Sequence, residues 1–375
     1  MKAQDLPPIP LARPNISPSE IEAVTAVLRT PHLSLGPQLP AFERALAEYC
    51  GTGDAVACSS GTAALQIVAT AMEIGPGDEI VTTPFSFIAS ANCALSVGAT
   101  PVFVDIDADT WNIDPERIEA AMTPRTKAIL PVDVFGTLAE WDRIEAIARR
   151  RGVRVIEDSC EALGSVRSGR RAGSFGDAGV FGFYPNKQLT TGEGGMIVTD
   201  DAEIAARCRS IRNQGRDEGA AWLAHARLGF NFRLSDINCA LGLAQLRRIE
   251  EIIAQRERVY RAYRGRLAEE PRVQLQRDGS DQTVSRFVFV VRLADSYGPA
   301  DRDRILESMR ERGIQCSNYF APIHLQPFYV ERYGYAPGAF PVCEAVAART
   351  IALPFHHELT DSDIDRVCET LEGLL

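Results

Sequence analysis

Few architectures accommodate the alternation found between Glu79 and Glu157. Short runs rich in β-branched residues, at 79 to 83, 100 to 104, 127 to 132 and 153 to 157, are separated by stretches of helical periodicity at about 87 to 97, 115 to 122 and 139 to 150. Asp114-Pro115 caps the second of these helices. Strands that are apolar throughout and regularly spaced by helices predict a mainly parallel sheet covered on both faces, an α/β fold. Such sheets bind ligands beyond the carboxyl ends of their strands. No Gly-x-Gly-x-x-Gly or Gly-x-x-x-x-Gly-Lys-Ser/Thr sequence follows any of these strands, so dinucleotide and P-loop readings lack their motifs.

The segments before this region supply a helix and an anion site. Ser17-Pro18-Ser19-Glu20 is a capping box with proline at the first helical position, predicting a helix over about 18 to 29, and helical periodicity resumes from Phe42 to Tyr49. Ala55-Val56-Ala57-Cys58 then reads as a strand, Ser59-Ser60-Gly61-Thr62 as a small-residue turn, and Ala63 to Met72 as a helix. A strand feeding a turn into a helix N-terminus turns free N–H groups toward an anion, so the turn is a phosphate-site candidate. The alternative is a plain Ser/Thr helix cap.

Two further stretches carry candidate chemistry. The strand at 153 to 157 ends in Glu157-Asp158-Ser159-Cys160-Glu161, which places carboxylates at the ligand edge of the sheet. Lys187 lies on a loop bounded by Pro185 and Gly192, between apolar runs 178 to 183 and 195 to 199 that read as strands. Most lysines are solvated surface charges. One held between buried strands is desolvated, which favours the neutral, nucleophilic amine. Gly192, Gly194 and Gly195, with Thr190 and Thr191, leave room for a flat, phosphorylated group beside it.

Residues 202 to 212 read as a basic helix, and Gly229 to Asp236 as a turn and cap before a helix of about 236 to 268 that is apolar at first and then charged. That helix is expected to link a large domain, 1–245, to a smaller one, 246–375. The smaller part carries a predicted strand pair at 272 to 276 and 286 to 293, a helix at 301 to 312 and a final helix behind Thr360. A chain of 375 residues suits such a division.

Forty Lys+Arg against fifty Asp+Glu, scattered along the chain, argue against nucleic acid or an anionic membrane as the main partner. The nine cysteines stand singly with no Cys-x-x-Cys pair, as expected for thiols in a reducing compartment, and no metal site is expected. Met1 to Pro14 lacks the apolar core of a signal peptide and no apolar run reaches spanning length, so the expected location is cytoplasmic.

Together these residues resemble the pyridoxal-phosphate sugar aminotransferases of the DegT/DnrJ/EryC1/StrS type, within fold type I. The resemblance covers nearly the whole chain. It rests on Ser60 to Leu65, Pro84 to Phe87, Glu157-Asp158, the lysine loop with Gly192-Glu193-Gly194-Gly195, Asn231 to Ser235, Ile323 to Pro327 and Leu353-Pro354-Phe355, in the family's order. It implies a seven-stranded, mainly parallel sheet flanked by helices, with a smaller C-terminal α+β domain.

The resemblance also implies residue roles. Lys187 would form the Schiff base with pyridoxal phosphate and carry the proton between substrate and cofactor. Asp158 would keep the pyridine nitrogen protonated, Phe87 would stack on the ring, and Gly61 and Thr62 would bind the phosphate. Asn231 would reach the phosphate in the neighbouring subunit, which implies a homodimer with sites at the interface. Arg233 and His324 are candidates for substrate carboxylate or diphosphate. L-glutamate would donate the amino group, and a nucleotide-linked keto-sugar would accept it at C4 or, less in keeping with the loop, at C3. Thr190 to Gly195 looks like the loop of perosamine-type 4-aminotransferases acting on a GDP-linked 4-keto-6-deoxyhexose.

Three positions depart from the common pattern. Glu161 stands where Gln or His contacts the cofactor's ring oxygen, so it is expected to bind cofactor with an altered charge balance. Gly182 replaces a phosphate-binding serine, for which Thr190 and Thr191 are expected to compensate. Asp133 replaces a frequent histidine and is expected to bear on substrate choice. Two other readings use the same scaffold, a deoxysugar 3-dehydratase and a non-catalytic regulatory protein. The dehydratases carry histidine where this chain has Lys187, and a regulator would not require Lys187, Asp158 and the phosphate turn together.

Overall fold

The computed structural model describes residues 7–219, 221 and 223–375. The apolar runs of the sequence form strands β1 (Asp54–Cys58), β2 (Glu79–Thr82), β3 (Thr100–Phe103), β4 (Thr126–Leu130) and β5 (Arg154–Asp158). Two-residue strands β6 (Val166–Arg167) and β7 (Arg170–Arg171) follow, then β8 (Ala178–Gly182) and β9 (Gly195–Thr199). The central sheet has seven strands in the order β1-β9-β8-β5-β4-β2-β3. Pairs β2/β3, β2/β4, β4/β5 and β5/β8 are parallel, whereas β9 is antiparallel to both β8 and β1. Six strands therefore share one direction and β9 alone runs against them.

Alternate residues of each strand enter different cores, as the two-residue period of a strand requires. Val56, Leu130, Ile156, Val180 and Ile197 pack on one face, against helices Gly61–Ala71 and Ala202–Arg212. Ala57, Ile129, Val155, Phe181 and Val198 pack on the other, against Gln38–Cys50 and Trp141–Arg151. Burial on both faces accounts for the near absence of polar residues in these runs.

The C-terminal part folds on a three-stranded antiparallel sheet, formed by β10 (Val273–Leu275), β12 (Phe289–Leu293) and β13 (Thr350–Leu353) in that order. Helices Ile249–Arg266, Pro299–Glu311 and Asp361–Glu372 cover it. The short β11 (Gln282–Thr283) pairs with β6, so a separate three-stranded sheet, β11-β6-β7, ties this part to the N-terminal one. The single linking helix expected over 236 to 268 is two helices, Asp236–Arg247 and Ile249–Arg266, separated at Arg248 (φ −118°, ψ 20°). We propose the division between the two parts near residue 245, just before this break. The chain start crosses it, because Ile9 pairs with Ile314 and packs in the C-terminal core.

Two differences from the sequence reading have clear causes. The helix read from Phe42 begins at Gln38, because the Asp236 carboxylate accepts from the N–H groups of Gly36, Gln38 and Leu39 at 3.0, 3.2 and 3.2 Å. Strand β13 escapes a local reading because Thr-Ile-Ala-Leu is too short to separate a buried strand from a helical segment. Among the described residues, no helix is long and apolar enough to cross a membrane.

Candidate active site

The carboxyl ends of β1, β2, β5 and β8 surround a cavity of about 690 Å³, of the size that holds a cofactor with part of a substrate. Each strand delivers a different group to it. After β1, Ser60 caps helix Gly61–Ala71 and accepts from Ala63 N at 3.0 Å on its side chain and from Ala64 N at 3.0 Å on its carbonyl. The N–H groups of Gly61 and Thr62, which line the cavity, are left for an anion, at the positive end of the helix.

After β5, Asp158 points into the cavity with its carboxylate held from behind. Ser90 Oγ donates to Oδ2 at 2.7 Å, and Cys160 N–H to Oδ1 at 3.2 Å. Ser86 Oγ stands 2.8 Å from Ser90 Oγ and extends the chain. Glu161 lies three residues further, in the turn that follows the strand, and is buried. Its Oε2 accepts from Phe135 N–H at 2.9 Å, and its Oε1 is 3.5 Å from Lys187 Nζ. Burial pushes the Glu161 carboxyl up, against the downward pull of Lys187.

After β8, the loop that follows Gly182 brings Lys187 back over the strand ends with its side chain 15% exposed. Nζ also rests 3.7 Å from the centre of the Phe287 ring, a cation–π contact. After β2, Phe87 stands at the cavity with 62% of its surface exposed, free to cover a flat ligand.

These residues fit pyridoxal phosphate. A Cβ on Gly61 would stand 2.9 Å from Cys160 Sγ and 3.2 Å from Gly182 Cα, so the turn is packed tightly enough that only glycine permits it. Asn186 Oδ1 is buried in the lining without a protein partner. An amine, a fixed carboxylate and a helix N-terminus thus converge on one cavity.

Several expectations fail on burial. His324 has no exposed surface: Nε2 is 3.0 Å from Glu344 Oε1, and the ring packs against Phe340 at 4.7 Å between centres. Its ring also packs against Phe103 of β3 at 6.5 Å, and it does not line the cavity. Asp133 is also fully buried; it accepts from Ala139 N at 2.9 Å and Trp141 Nε1 at 3.1 Å, and does not line the cavity. Thr190 and Thr191 do not replace the missing serine, because their hydroxyls donate to the Phe183 and Glu193 carbonyls at 3.1 and 2.7 Å. Arg233 donates to Asn213 Oδ1 at 3.0 Å, and neither it nor the exposed Asn231 lines the cavity of its own chain.

Other contributors carried no local signal. Ser90 and Phe287 act on Asp158 and Lys187 from 68 and 100 residues away along the chain. Arg256, buried and without an acidic ion-pair partner among the described residues, donates to the carbonyls of Arg286, Phe287 and Asn186 at 2.7, 2.5 and 3.2 Å and so joins the Phe287 segment to the lysine loop.

Comparison with known proteins agrees with this geometry. The profile of the DegT/DnrJ/EryC1/StrS aminotransferase family matches residues 14–372. The chain is 40% identical to the GDP-perosamine synthase of Caulobacter vibrioides over 381 aligned positions, covering 99% of each chain. It is 36% identical to the spore coat polysaccharide biosynthesis protein SpsC of Bacillus subtilis, covering 98% of this chain and 97% of that one. Among solved structures it superposes on Helicobacter pylori PseC, an aminotransferase involved in the biosynthesis of pseudoaminic acid, with a TM-score of 0.93 and 29% identity, over 98% and 99% of the two chains.

Proposed function

Because the chain belongs to the DegT/DnrJ/EryC1/StrS family and is a pyridoxal-phosphate-dependent sugar aminotransferase, we propose that it moves an amino group from L-glutamate to C4 of a GDP-linked 4-keto-6-deoxyhexose. The observation that carries this reading is the convergence of Lys187, Asp158 and the Gly61 helix N-terminus on one cavity. The choice of GDP and C4 rests on the similarity to a GDP-perosamine synthase over 99% of both chains and on the Thr190 to Gly195 loop.

When bound, pyridoxal phosphate supplies an aldehyde and an electron-withdrawing ring. Lys187 Nζ supplies the amine that anchors it; once displaced by substrate, the same amine removes a proton from one carbon and returns it to another. Asp158, oriented by Ser90 and Cys160 N–H, holds a proton on the ring nitrogen, which keeps the ring electron-poor. Gly61 and Thr62 would hold the phosphate with backbone N–H groups, Phe87 would cover the ring and Glu161 would lie on the side of its oxygen.

The strip from Asn231 to Arg233 completes the site from the neighbouring subunit of a homodimer, Asn231 at the phosphate and Arg233 at substrate carboxylate or diphosphate. Exposed Ile21, Leu28 and Leu35, at 62%, 57% and 54%, offer the apolar surface that such a dimer buries. The unpaired cysteines, eight of the nine buried, accord with a cytoplasmic location.

The test is a two-stage reaction with the purified, cofactor-loaded protein. L-glutamate alone is expected to bleach the visible band, and GDP-4-keto-6-deoxymannose is expected to restore it and yield an amino sugar. Restoration by a dTDP- or UDP-linked keto-sugar, with none by the GDP sugar, would overturn the nucleotide assignment.

A further inference from the structure

Lys187 Nζ has two neighbours that come from different parts of the chain. Glu161 Oε1, at 3.5 Å, belongs to the turn after β5, and the Phe287 ring, centred 3.7 Å away, belongs to the C-terminal part. These contacts persist only while both segments keep their places beside the lysine loop. The next residue, Gln188, meets both segments. Its Nε2 donates to the Glu161 carbonyl at 2.7 Å and to the Ser285 carbonyl at 3.1 Å, and the residue is 2% exposed.

The backbone explains why an amide stands there. A Cβ on Gly136 would lie 2.2 Å from the Ser285 oxygen and 3.3 Å from the Glu161 oxygen, so the two carbonyls approach the same glycine. Buried carbonyls brought together in this way cost free energy unless a donor meets them. A side-chain NH₂ has two hydrogens to give, one for each, and adds no charge. Turned the other way, the amide oxygen would face both carbonyls and be repelled, which sets the orientation of the Gln188 amide. Ser165 Oγ accepts from Ser285 N–H at 2.8 Å, and Arg256 donates to the Arg286 and Phe287 carbonyls, so the same segment is also held from further off. Among the described residues, Gln188 is the side chain that bonds both the Glu161 and the Ser285 carbonyls.

We propose that Gln188 is a positioning residue for Lys187: it fastens the Glu161 turn and the Phe287 segment to the residue next to the lysine and so fixes where the amine sits. Gln188 does not line the cavity, and its effect passes through Lys187. A displaced amine can still anchor the cofactor. The proton it carries must pass between atoms at fixed places, and a misplacement of about 1 Å costs about 10²-fold in rate. This inference rests on the assignment of Lys187 as the cofactor lysine.

The test compares full-length wild type with Gln188→Met, which removes both donors, and with the milder Gln188→Asn, which is one methylene too short to reach both carbonyls. Lysine occurs only at 2, 127 and 187, so protein labelled with carbon-13 at the lysine ε-carbon gives three methylene signals, and Lys187→Ala identifies the one from Lys187. In cofactor-free wild type that signal is expected upfield of the other two in its proton shift, displaced by the Phe287 ring, and Phe287→Leu is expected to abolish the displacement. Both Gln188 variants are expected to move it toward the signal of exposed Lys127. In the loaded protein, the maximal rate at which L-glutamate bleaches the visible band is expected to fall about ten- to a hundredfold, with the half-saturating glutamate concentration changed less than about twofold. A merely structural role would lower the melting temperature and leave the signal and the maximal rate in place. Three results overturn the proposal: no upfield displacement in wild type, a folded variant whose Lys187 signal stays where it is in wild type, or a loss carried by the half-saturating concentration alone. A loaded wild type with no visible band would instead defeat the assignment of Lys187, while the signals of the cofactor-free protein would still decide what Gln188 does.

Discussion

Ser90 donates its hydroxyl to Asp158 Oδ2 at 2.7 Å, so a side chain on the helix after β2 sets the direction of the carboxylate at the end of β5. The bond is buried, and removing it leaves Asp158 one donor among the described residues, Cys160 N–H. Ser90→Ala is expected to weaken cofactor binding by about 1–2 kcal/mol, the cost of a lost hydrogen bond to a charged group, with the melting temperature little changed. Asp158→Asn is expected to bind cofactor and lose about 10²- to 10³-fold in kcat, the scale of removing one preorganised electrostatic partner. Fluorescence titration and steady-state rates measure both; wild-type kcat in Asp158→Asn would contradict the role of Asp158.

The glycine turn is a site of close approach. Gly61→Ala places a methyl 2.9 Å from Cys160 Sγ and 3.2 Å from Gly182 Cα. Helix propensity alone would favour alanine by about 1 kcal/mol, but the turn must open to admit it. The expected outcome is a Kd for pyridoxal phosphate raised about tenfold or more, partly recovered in the double variant with Cys160→Ala. Additive effects in that cycle would show that the contact does not couple the two positions.

Arg256 is a buried cation whose partners are carbonyls, and burial lowers its pKa to about 10. Arg256→Ala leaves the Arg286 and Phe287 carbonyls without this donor and is expected to lower the unfolding free energy by about 3 kcal/mol. Arg256→Lys, which keeps charge but not the planar fork, recovers only part of it. Equal stability of Lys and Arg at this position, in urea unfolding, would show that the fork geometry is unimportant.

A pH dependence follows from Asp133 and Glu157. Ser159 Oγ lies 2.6 Å from Asp133 Oδ2 and 2.5 Å from Glu157 Oε1, and a hydroxyl has one proton to give, so one of the two carboxyls must carry its own. Burial pushes Asp133 up to about 6, and burial, then Asp133, pushes Glu157 up. The folded pair thus retains a proton that the unfolded chain releases near pH 4. Its contribution to stability is fully present below that pH and is lost as pH rises through 6, by about 1.4 kcal/mol per unit for one proton. The stability of wild type relative to Glu157→Gln, from urea unfolding at pH 5, 6 and 7, is expected to fall with pH; a constant difference would refute the shared proton.

The sequence disclosed most of what is local. β2 to β5 are apolar runs between helices, and burial on both faces leaves that pattern in the residues themselves. Asp158 is legible because it ends a recognisable strand, and Gly61 and Lys187 because each lies in the turn or loop that follows one. Burial of polar side chains was not legible. His324 and Asp133 are polar types in motif segments, and their partners, Glu344 and Trp141, reveal a packing role only in three dimensions. Ser90, Phe287 and Arg256 serve the site through contacts between distant segments, as Asp236 caps the helix at Gln38.

The central claim is that Lys187 anchors pyridoxal phosphate in the cavity at the ends of β1, β5 and β8. The direct measurement is the visible absorption spectrum of wild type and Lys187→Ala after loading with pyridoxal phosphate, followed by borohydride reduction and peptide mapping. The account predicts a visible band in wild type only, with the reduced cofactor fixed to the peptide carrying Lys187. A normal band in Lys187→Ala, or cofactor fixed to another lysine, would contradict it.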